Sequence, residues 1–421
     1  MNCGMNEGRP TRQATAPVHQ WARPFRWMLA GAAISTVTLF AAIEAPAQTG
    51  ISPKPQDIRV TARPIPSFRI GDREKTIFGE LEWIGGLELI GSSRHFGSLS
   101  GISVSNDGKS VLAITDNGFW VKGSVDENSN GVPVGLSDVQ VAPILDRQGR
   151  VINEKGSADA ESVDRAIRDG KPVYLVAFER GHRVEAYDRL PGKFPTRPSR
   201  VRIPSAVTKL RANKGLESIA IGPPGTVNSG TIVLIAERAR RSSTDIPGWI
   251  AYPGKKYRSF KVRRLDDFDI TDAAFLPDGN LLLLERRFSY SGGIFMRLRR
   301  ISAADLRSRK VVDGPVLMTA DFTHQIDNME GLAIHQTPAG EIILTIVSDD
   351  NRSILQRTLL LRFRLRAPNL ETTPKPRPPF RSSLHPSALT EPSALTRPNA
   401  LTVPNALSAP QVLTAPQIST E

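Results

Sequence analysis

A pattern of two short strands joined by a turn recurs five times in this chain of 421 residues. An antiparallel hairpin returns the end of its second strand to the start of its first, so both ends lie on one edge of the sheet. The copies begin at Ser100, Glu161, Glu217, Asp272 and Glu330, and they end at Asp116, Glu179, Glu237, Glu285 and Asp349. Five such hairpins arranged in a ring would bring these polar ends together on one surface.

The spacing of the copies favours an all-β fold of the β-propeller class. Their starts lie 55 to 61 residues apart, slightly more than the roughly 40–50 residues of a four-stranded blade. The 35 residues that precede Ser100, counted from Ile65, and the 36 that follow Glu330, counted to Arg366, together amount to one blade. We therefore predict five blades, closed by strands from both ends of the chain, with six blades as the alternative.

The first 47 residues have the composition of a secretory signal. Arg23 and Arg26 precede an apolar run over residues 27–43, and Ala45-Pro46-Ala47 fits a small-x-small cleavage site. An uncleaved membrane anchor is the alternative, because the run approaches the roughly 20 residues that span a bilayer. With the signal removed, we expect a periplasmic or secreted protein that has no stable membrane insertion.

The rest of the chain divides into three segments. Residues 48–66 are predicted to be an extended lead-in, and residues 67–367 to be the propeller. In residues 368–421 a proline recurs every six positions from Pro386 to Pro416, and proline at this density blocks helices and central strands. This last segment is therefore predicted to be a disordered tail.

Cysteine content and charge restrict the possible chemistry. Cys3 is the only cysteine and it lies within the predicted signal, which excludes disulfides, cysteine nucleophiles and thiolate metal sites from the mature protein. The formal net charge of +13 favours anionic partners, either a small anionic substrate or an envelope polymer. Aromatic residues are too scattered to stack nucleic-acid bases, so we expect no nucleic-acid partner. We expect a monomer.

The repeated acids are the first candidates for a functional site. Like charges crowded at one end of a ring repel one another unless something compensates them. Calcium, which takes about six to eight oxygen ligands, arginine pairing and direct acid/base catalysis are the three interpretations. We assign Glu161, Glu217, Asp272 and Glu330 as candidate catalytic residues, and Asp116, Glu179, Glu237, Glu285 and Asp349 as candidate metal ligands. Ser100 breaks the acidic rule in the first repeat.

Basic residues close to these acids are candidates for holding an anionic substrate. Guanidinium groups form paired hydrogen bonds with phosphate and carboxylate, and histidine can donate a proton near neutral pH. The same arginines would equally suit a structural ring of ion pairs. The candidate substrate-binding residues are Arg180, Arg238, Arg286, His95 and Lys214.

Three segments resemble the phytase-like domain family, which is also described as having esterase-like activity. They are Gly215-Leu216-Glu217-Ser218-Ile219-Ala220, Leu276-Pro277-Asp278-Gly279-Asn280 with Glu285-Arg286, and Asp327-Asn328-Met329-Glu330-Gly331-Leu332-Ala333-Ile334. The resemblance covers roughly residues 77–365. It implies an exported propeller that hydrolyses phosphate or carboxylic esters and uses the repeated acids at Glu161, Glu217, Asp272 and Glu330, with Glu179, Glu237 and Glu285.

Three functions agree with these features. In an ester hydrolase, bound Ca²⁺ would neutralise the substrate charge and activate water, while arginine and lysine would hold the anion. In a non-catalytic propeller, the basic residues would bind an anionic envelope ligand. A lactonase-like propeller would also gather carboxylates around a divalent metal. Metal content separates the second function from the other two.

We predict that the exported protein begins near Gln48. Signal peptidases cut after a small-x-small sequence that follows the apolar run, and Ala45-Pro46-Ala47 occupies that position. N-terminal sequencing of the protein recovered from the periplasm or the medium checks this cleavage. If Met1 is retained on membrane-associated protein, the apolar run is an anchor instead.

Overall fold

The computed structural model describes residues 51–152, 155–190, 192–239, 244–289 and 292–366. These residues form a β-propeller of five blades, which confirms the predicted fold class and the preferred blade number. The chain divides into two compact units, Met1–Arg366 and Ala367–Glu421, and every described residue belongs to the first. The predicted signal segment and proline-rich tail lie outside the described residues.

Short strands account for most of the N-terminal half of the described chain. They are β1 (Gln56–Asp57), β2 (Val60–Ile65), β3 (Ile77–Phe78), β4 (Leu81–Gly91), β5 (Leu99–Val104), β6 (Ser110–Thr115), β7 (Phe119–Glu127), β8 (Pro133–Pro143), β9 (Ala160–Arg168), β10 (Lys171–Phe178), β11 (Arg183–Asp188) and β12 (Pro198–Val201). One short helix, α1 (Lys155–Ala158), precedes β9. The first four strands precede the first repeat, and the first and second repeats form four strands each.

The C-terminal half continues in the same way. Its strands are β13 (Leu216–Ile221), β14 (Ile232–Ala236), β15 (Ile246–Ala251), β16 (Arg258–Val262), β17 (Asp269–Phe275), β18 (Leu281–Ser289), β19 (Gly293–Ile301), β20 (Val311–Val312), β21 (Val316–Ala320), β22 (Asn328–Gln336), β23 (Ile342–Asp349) and β24 (Thr358–Leu365). A 3-10 turn (Val207–Lys209) and α2 (Ala303–Ser308) lie between strands. No helix in the described ranges is both long enough and apolar enough to span a bilayer.

Each blade is a sheet whose first strand lies at the propeller axis. From the axis outward, the strands are β5-β6-β7-β8-β1 in blade 1, β9-β10-β11-β12 in blade 2, β13-β14-β15-β16-β20 in blade 3, β17-β18-β19-β21 in blade 4 and β22-β23-β24-β4-β2 in blade 5. The five inner strands, β5, β9, β13, β17 and β22, contact one another in a ring. They therefore line the central channel.

Blade 5 is assembled from both ends of the described chain. β4 pairs antiparallel with β24, from Leu89 opposite Thr358 to Leu81 opposite Leu365. β2 then pairs with the free edge of β4. This arrangement confirms the predicted closure by strands from both ends, because the N-terminal strands β2 and β4 complete the last blade.

The apolar runs are nearly continuous because each blade packs against two neighbours. Alternate side chains of a strand point to opposite faces of its sheet. In β18, Leu281 and Leu283 pack against blade 3, whereas Leu282 and Leu284 pack against blade 5. Five buried clusters arise in this way, one in each gap between adjacent blades. The hydrophobic core is therefore a ring of layers around the channel.

Leu361→Ala should lower the free energy of unfolding by about 2–5 kcal/mol, because it leaves a cavity in a fully packed layer. Leu361 is 0% exposed and lies in β24, opposite Gly86 of the closing strand β4. Urea unfolding followed by tryptophan fluorescence measures the change. The matched control is Leu355→Ala, at a side chain that is 87% exposed, where the change should stay within about 0.5 kcal/mol. Equal effects of the two variants would contradict tight packing of Leu361 at the strand pair that closes the ring.

Candidate functional site

Each inner strand carries a β-bulge close to its first residue. In blade 1 the register against the second strand shifts between Leu99 and Gly101, and the shift recurs at the same place in the other four blades. A bulge residue has no direct partner on the neighbouring strand and interrupts the regular alternation of side chains. The five bulge residues are Ser100, Glu161, Glu217, Thr271 and Glu330.

The fourth repeat is displaced by one residue from the alignment made on sequence. Thr271 is its bulge residue, and the predicted catalytic Asp272 occupies the following position, which is Ser162 in blade 2. Asp272 is 2% exposed. Its Oδ1 accepts a hydrogen bond from Ser162 Oγ at 2.8 Å, and its Oδ2 accepts one from the backbone N–H of Leu332 at 2.8 Å. Asp272 therefore cross-links inner strands inside the channel.

A second row of polar residues lies at the end of the second strand in each blade. Each member follows the partner of the residue immediately before the bulge, and the five members are Asp116, Glu179, Glu237, Arg286 and Asp349. Arg286 thus takes the place that the sequence alignment gave to Glu285. Glu285 is 1% exposed, and it accepts hydrogen bonds from Arg297 Nε at 2.6 Å and from Arg299. The structure does not bring Glu285 together with the other predicted metal ligands.

A third row precedes the bulges by two residues. It consists of Ser98, Asp159, Gly215, Asp269 and Asn328. Sequence analysis missed the two acids of this row, Asp159 and Asp269, because they precede the repeated acids Glu161 and Asp272 by different offsets, two and three residues. Asp269 is neutralised by Arg238, whose Nε lies 2.7 Å from Asp269 Oδ1, and by Arg264 at 3.1 Å.

Five carboxylates from blades 2 and 3 converge at the mouth of the channel. We call Asp159, Glu161, Glu179, Glu217 and Glu237 the acidic cluster. Asp159, Glu161 and Glu179 can each place an oxygen within 4.8 Å of the others, and so can Glu179, Glu217 and Glu237. Glu179 belongs to both groups. Two neighbouring sets of hard oxygen ligands suitable for a divalent cation thus share one carboxylate.

The backbone around Gly215 holds the centre of the acidic cluster. Gly215 donates its N–H to Glu179 Oε1 at 2.8 Å, and its carbonyl accepts the N–H of Glu237 at 2.9 Å. The preceding residue, Lys214, has a φ of 66°, a left-handed conformation that is uncommon for a residue with a side chain. This turn directs the Lys214 side chain back over the site, where its Nζ lies 2.8 Å from Glu237 Oε1.

Several predicted basic residues compensate part of the cluster. Arg180 Nε lies 2.9 Å from Asp159 Oδ2. Arg286 Nη2 lies 3.5 Å from Glu237 Oε1 and 3.3 Å from Glu330 Oε1. These pairs neutralise the edges of the acidic cluster.

The centre of the cluster is left without a direct cationic partner. Glu161, Glu179 and Glu217 form no ion pair with any lysine or arginine in the ranges that the structure describes. Three carboxylates at the centre of the cluster therefore have only longer-range attraction to Arg286, at Glu217, and a backbone hydrogen bond, at Glu179, to offset their charge.

Burial and mutual repulsion raise the pKa of these acids. Desolvation, followed by the charge of Asp159, raises the pKa of Glu161 well above its usual value. Desolvation and the charge of Glu161 do the same to the pKa of Glu217. Burial also raises the pKa of Glu179 to about 7, although the Gly215 N–H opposes the shift. Such shifts are typical of buried, crowded carboxylates that bind a cation or remain protonated.

Glu330 lies beside Arg286, and its charge also raises the pKa of Glu161 and Glu217. Burial raises the pKa of Glu330 to about 7, while the Arg286 guanidinium opposes this shift. Its Oε1 accepts a hydrogen bond from Asn328 Nδ2 at 2.9 Å. Asn328 also donates to Asp349 Oδ2 at 3.3 Å. Glu330 and Asp349 thus form a second acidic group beside the acidic cluster.

The remaining predicted residues lie around blade 1. Asp116 accepts a hydrogen bond from the neighbouring Asn117 side chain, and its charge contributes to the raised pKa of Glu161. His95 stacks on Phe119, with ring centroids 4.1 Å apart. Burial and the nearby Arg94 lower the pKa of His95, so its imidazole is neutral at pH 7. Neutral His95 is therefore poorly suited to the predicted role of holding an anion by charge.

The model of the family described as "Phytase-like: Esterase-like activity of phytase" matches residues 94–352. This span contains all three rows of polar residues. No curated protein matches the chain.

Two solved structures are distantly similar to the chain. One is a protein of unknown function from Dyadobacter fermentans DSM 18053, with 11% sequence identity over 73% of this chain and 99% of that chain and a TM-score of 0.34. The other is RS223-Beta-xylosidase, with 11% identity over 67% of this chain and 94% of that chain and a TM-score of 0.39. Neither likeness supports an inference about activity.

Glu179→Gln should gain stability relative to the wild type as the pH rises from 5 to 8 in metal-free buffer. The folded-state pKa of Glu179, about 7, exceeds its usual value of 4.5. The folded protein therefore holds this proton more tightly, and the associated stability is present at pH 4.5 and lost as the pH rises through about 7. Calorimetric melting of both proteins in a chelator checks this.

The comparison between variants isolates the carboxylate, because burial lowers the pKa of His182 and His335 and these groups act in the opposite direction. Glu74→Gln, at an exposed position, is the matched control and should follow the wild type at every pH. A constant difference between Glu179→Gln and the wild type would mean that Glu179 titrates normally.

Proposed function

The chain belongs to the phytase-like family, described as having the esterase-like activity of phytase, and we propose that it hydrolyses phosphate or carboxylic esters with the help of Ca²⁺. Family membership supports a hydrolase-like function on a propeller scaffold. The observation that carries the finer proposal is the acidic cluster, in which two groups of carboxylates share Glu179. The reaction would take place at this mouth of the channel.

Charge balance supports a cation in the acidic cluster. Glu161, Glu179 and Glu217 lack an ion pair within the described ranges, and each has a raised pKa. A divalent cation would favour their ionised forms and replace mutual repulsion by coordination. Asp159 and Glu237 would complete the two groups of ligands. When bound, Ca²⁺ would neutralise negative charge on the substrate and lower the pKa of a water molecule.

Basic side chains at the edge of the cluster are suited to orient the substrate. Lys214, Arg180 and Arg286 each already contact a carboxylate of this mouth. Their remaining N–H groups would donate hydrogen bonds to the oxygens of a phosphate or carboxylic ester. Arg286 is held between Glu237 and Glu330, which fixes the direction of its guanidinium group. These residues would hold the ester against the cluster.

Glu330 is the residue we assign as general base. It belongs to neither group of possible metal ligands, and its pKa of about 7 is suited to accepting a proton near neutral pH. Arg286 and Asn328 fix the position of its Oε1. Glu330 would accept the proton of the attacking water. Asp272, whose oxygens are occupied by hydrogen bonds between inner strands, has a structural role in this proposal.

The setting of this activity is part of the proposal. The apolar run and Ala45-Pro46-Ala47 support export, and the net charge of +13 supports an anionic substrate or envelope polymer. We propose a periplasmic or secreted monomer that has no nucleic-acid partner and no lasting membrane insertion.

A non-catalytic propeller that binds an anionic envelope ligand is the second candidate. The pairing of Asp159 with Arg180 and of Glu237 with Lys214 favours it, because such ion pairs stabilise the mouth without a metal. A lactonase-like metal-dependent propeller would use the same carboxylates on another class of ester.

Glu179→Gln should remove most of the stabilisation of the wild type by Ca²⁺, because the variant loses the carboxylate shared by both groups. A cation that binds only the folded state stabilises it by about 2.7 kcal/mol at a concentration one hundred times its dissociation constant. Melting temperatures with and without Ca²⁺ measure this effect, and Glu74→Gln is the matched control. If the wild type shows no calcium-dependent shift, the ion-pair interpretation holds and the binding propeller becomes the better proposal.

Glu330→Gln should keep the calcium-dependent shift but lower hydrolysis by roughly 10²–10⁴-fold, as expected for loss of a general base. Assays with 4-nitrophenyl phosphate and 4-nitrophenyl butyrate distinguish phosphate from carboxylic esters, and a lactone substrate tests the third function. Equal loss of calcium binding and activity in Glu330→Gln would instead place Glu330 among the metal ligands.

A further inference from the structure

A large cavity lies at the end of the channel opposite the acidic cluster. Its volume is about 690 Å³, within the range of roughly 300–1,000 Å³ that is usual for ligand pockets. β9 runs from the acidic cluster at Ala160 to this cavity at Arg168. Val163, two residues after Glu161, already lines the cavity, so at about 3.3 Å per residue the cavity begins about 7 Å along β9 from the acidic cluster and extends to the far end of the strand. We call this space the basal cavity.

Apolar side chains from the inner strands form the inner wall of the basal cavity. Val104, Ile221, Phe275 and Ile334 come from four different blades and all line it. Val104, Ile221 and Phe275 also pack in the layers between blades, where they are 2%, 9% and 6% exposed, and Ile334 is partly buried. The surface that they present to the cavity is apolar, which suits an apolar ligand group.

The rim of the basal cavity is basic on the side of blade 2. Arg165, Arg168, Arg189 and Arg202 line it, and Asp164 is the one carboxylate among the described lining residues. Asp164 is already occupied, because its Oδ2 accepts the backbone N–H of Ile221 at 2.8 Å and its Oδ1 accepts that of Arg165 at 2.6 Å. The rim therefore carries an excess of positive charge.

Two of the rim arginines are available for a ligand. Arg189 lies 5.9 Å from the centroid of the Tyr174 ring, and Arg202 is exposed. Neither forms an ion pair with a carboxylate in the part of the chain that the structure describes. By contrast, Arg165 donates to Asn106 Oδ1 at 2.9 Å, and Arg168 donates to Ser199 Oγ at 2.9 Å. Guanidinium groups that lack a carboxylate partner are suited to bind a carboxylate or phosphate head group.

We propose that the basal cavity binds a small amphipathic organic anion. Its carboxylate or phosphate monoester head contacts Arg189 or Arg202, which lie at opposite ends of the ladder between β11 and β12, and its apolar body enters the space beside Ile221 and Phe275. Hydrogen bonds between inner strands, including that from Ser162 Oγ to Asp272 Oδ1, lie between this site and the acidic cluster. The proposal goes beyond ester hydrolysis and does not depend on it.

Calorimetric titration of the exported protein with octanoate, octyl phosphate and neutral octanol tests the head group and the apolar body together. We expect saturable binding of at least one of the two anions and markedly weaker binding of octanol. The relative affinities of octanoate and octyl phosphate identify the preferred head group. Equal binding of octanol and both anions, or no saturable binding of either anion, would overturn the proposal.

Three variants test whether the anion binds in the basal cavity. The double substitution Arg189→Gln/Arg202→Gln should weaken anion binding by about tenfold or more, since it removes the charge-assisted contact at whichever of the two arginines holds the head group. Ala166→Phe, which adds volume at a lining residue, should weaken binding of the anions and octanol alike. Arg73→Gln, at an exposed position outside the cavity, is the matched control and should leave binding unchanged.

Melting temperatures confirm that each variant is folded. The two arginines of the double variant are not buried, so this variant should remain folded even if Ala166→Phe does not. Unchanged anion affinity in the folded double variant, or an equal loss in Arg73→Gln, would show that the anion binds elsewhere and would overturn the assignment.

Discussion

Pairing between β4 and β24 is the interaction on which the rest of the propeller depends. β4 precedes the first repeat and β24 follows the last, so their ladder joins the two ends of the described chain into a ring. Ring closure also brings the inner strand β22 against β5. A Cβ atom at Gly331 would lie 3.1 Å from the Cα of Gly101, so a side chain there would have to push the two inner strands apart by a few tenths of an ångström. Only in the closed ring do the polar ends of five hairpins face one another.

Ring closure crowds carboxylates of like charge at one mouth of the channel, and arginines pair with only some of them. Asp269 and Glu285 receive arginines from their own surroundings, through Arg238 and Arg297. The acidic cluster receives cations at its edges alone. Three departures from the acidic pattern restrict it on either side of blades 2 and 3, Ser100 in blade 1 and Thr271 and Arg286 in blade 4. These departures concentrate negative charge on one side of the mouth, where a cation has several carboxylates within reach.

The repeat in the sequence was sufficient to predict five blades, closure from both ends and the convergence of Glu161, Glu179, Glu217 and Glu237. It was insufficient in the fourth repeat, because the acid of that repeat, Asp272, follows the bulge residue Thr271, and sequence similarity does not reveal which residue is displaced. The burial of Glu285 was also hidden, since Arg297 and Arg299 come from β19, a strand outside the repeated hairpin. Strand pairing decides both the residue displaced at the bulge and the arginines that reach Glu285, and it exists only in the folded ring.

The two mouths of the channel differ in charge although the same strand reaches both. β9 carries Glu161 at its start and Arg165 and Arg168 at its end. Between them, Ser162 is hydrogen-bonded to Asp272 of β17 and to the backbone N–H of Ile219 in β13. These bonds cross-link three inner strands between the two mouths. A displacement of β9 would therefore move Glu161 and Arg165 together, since both belong to the same strand.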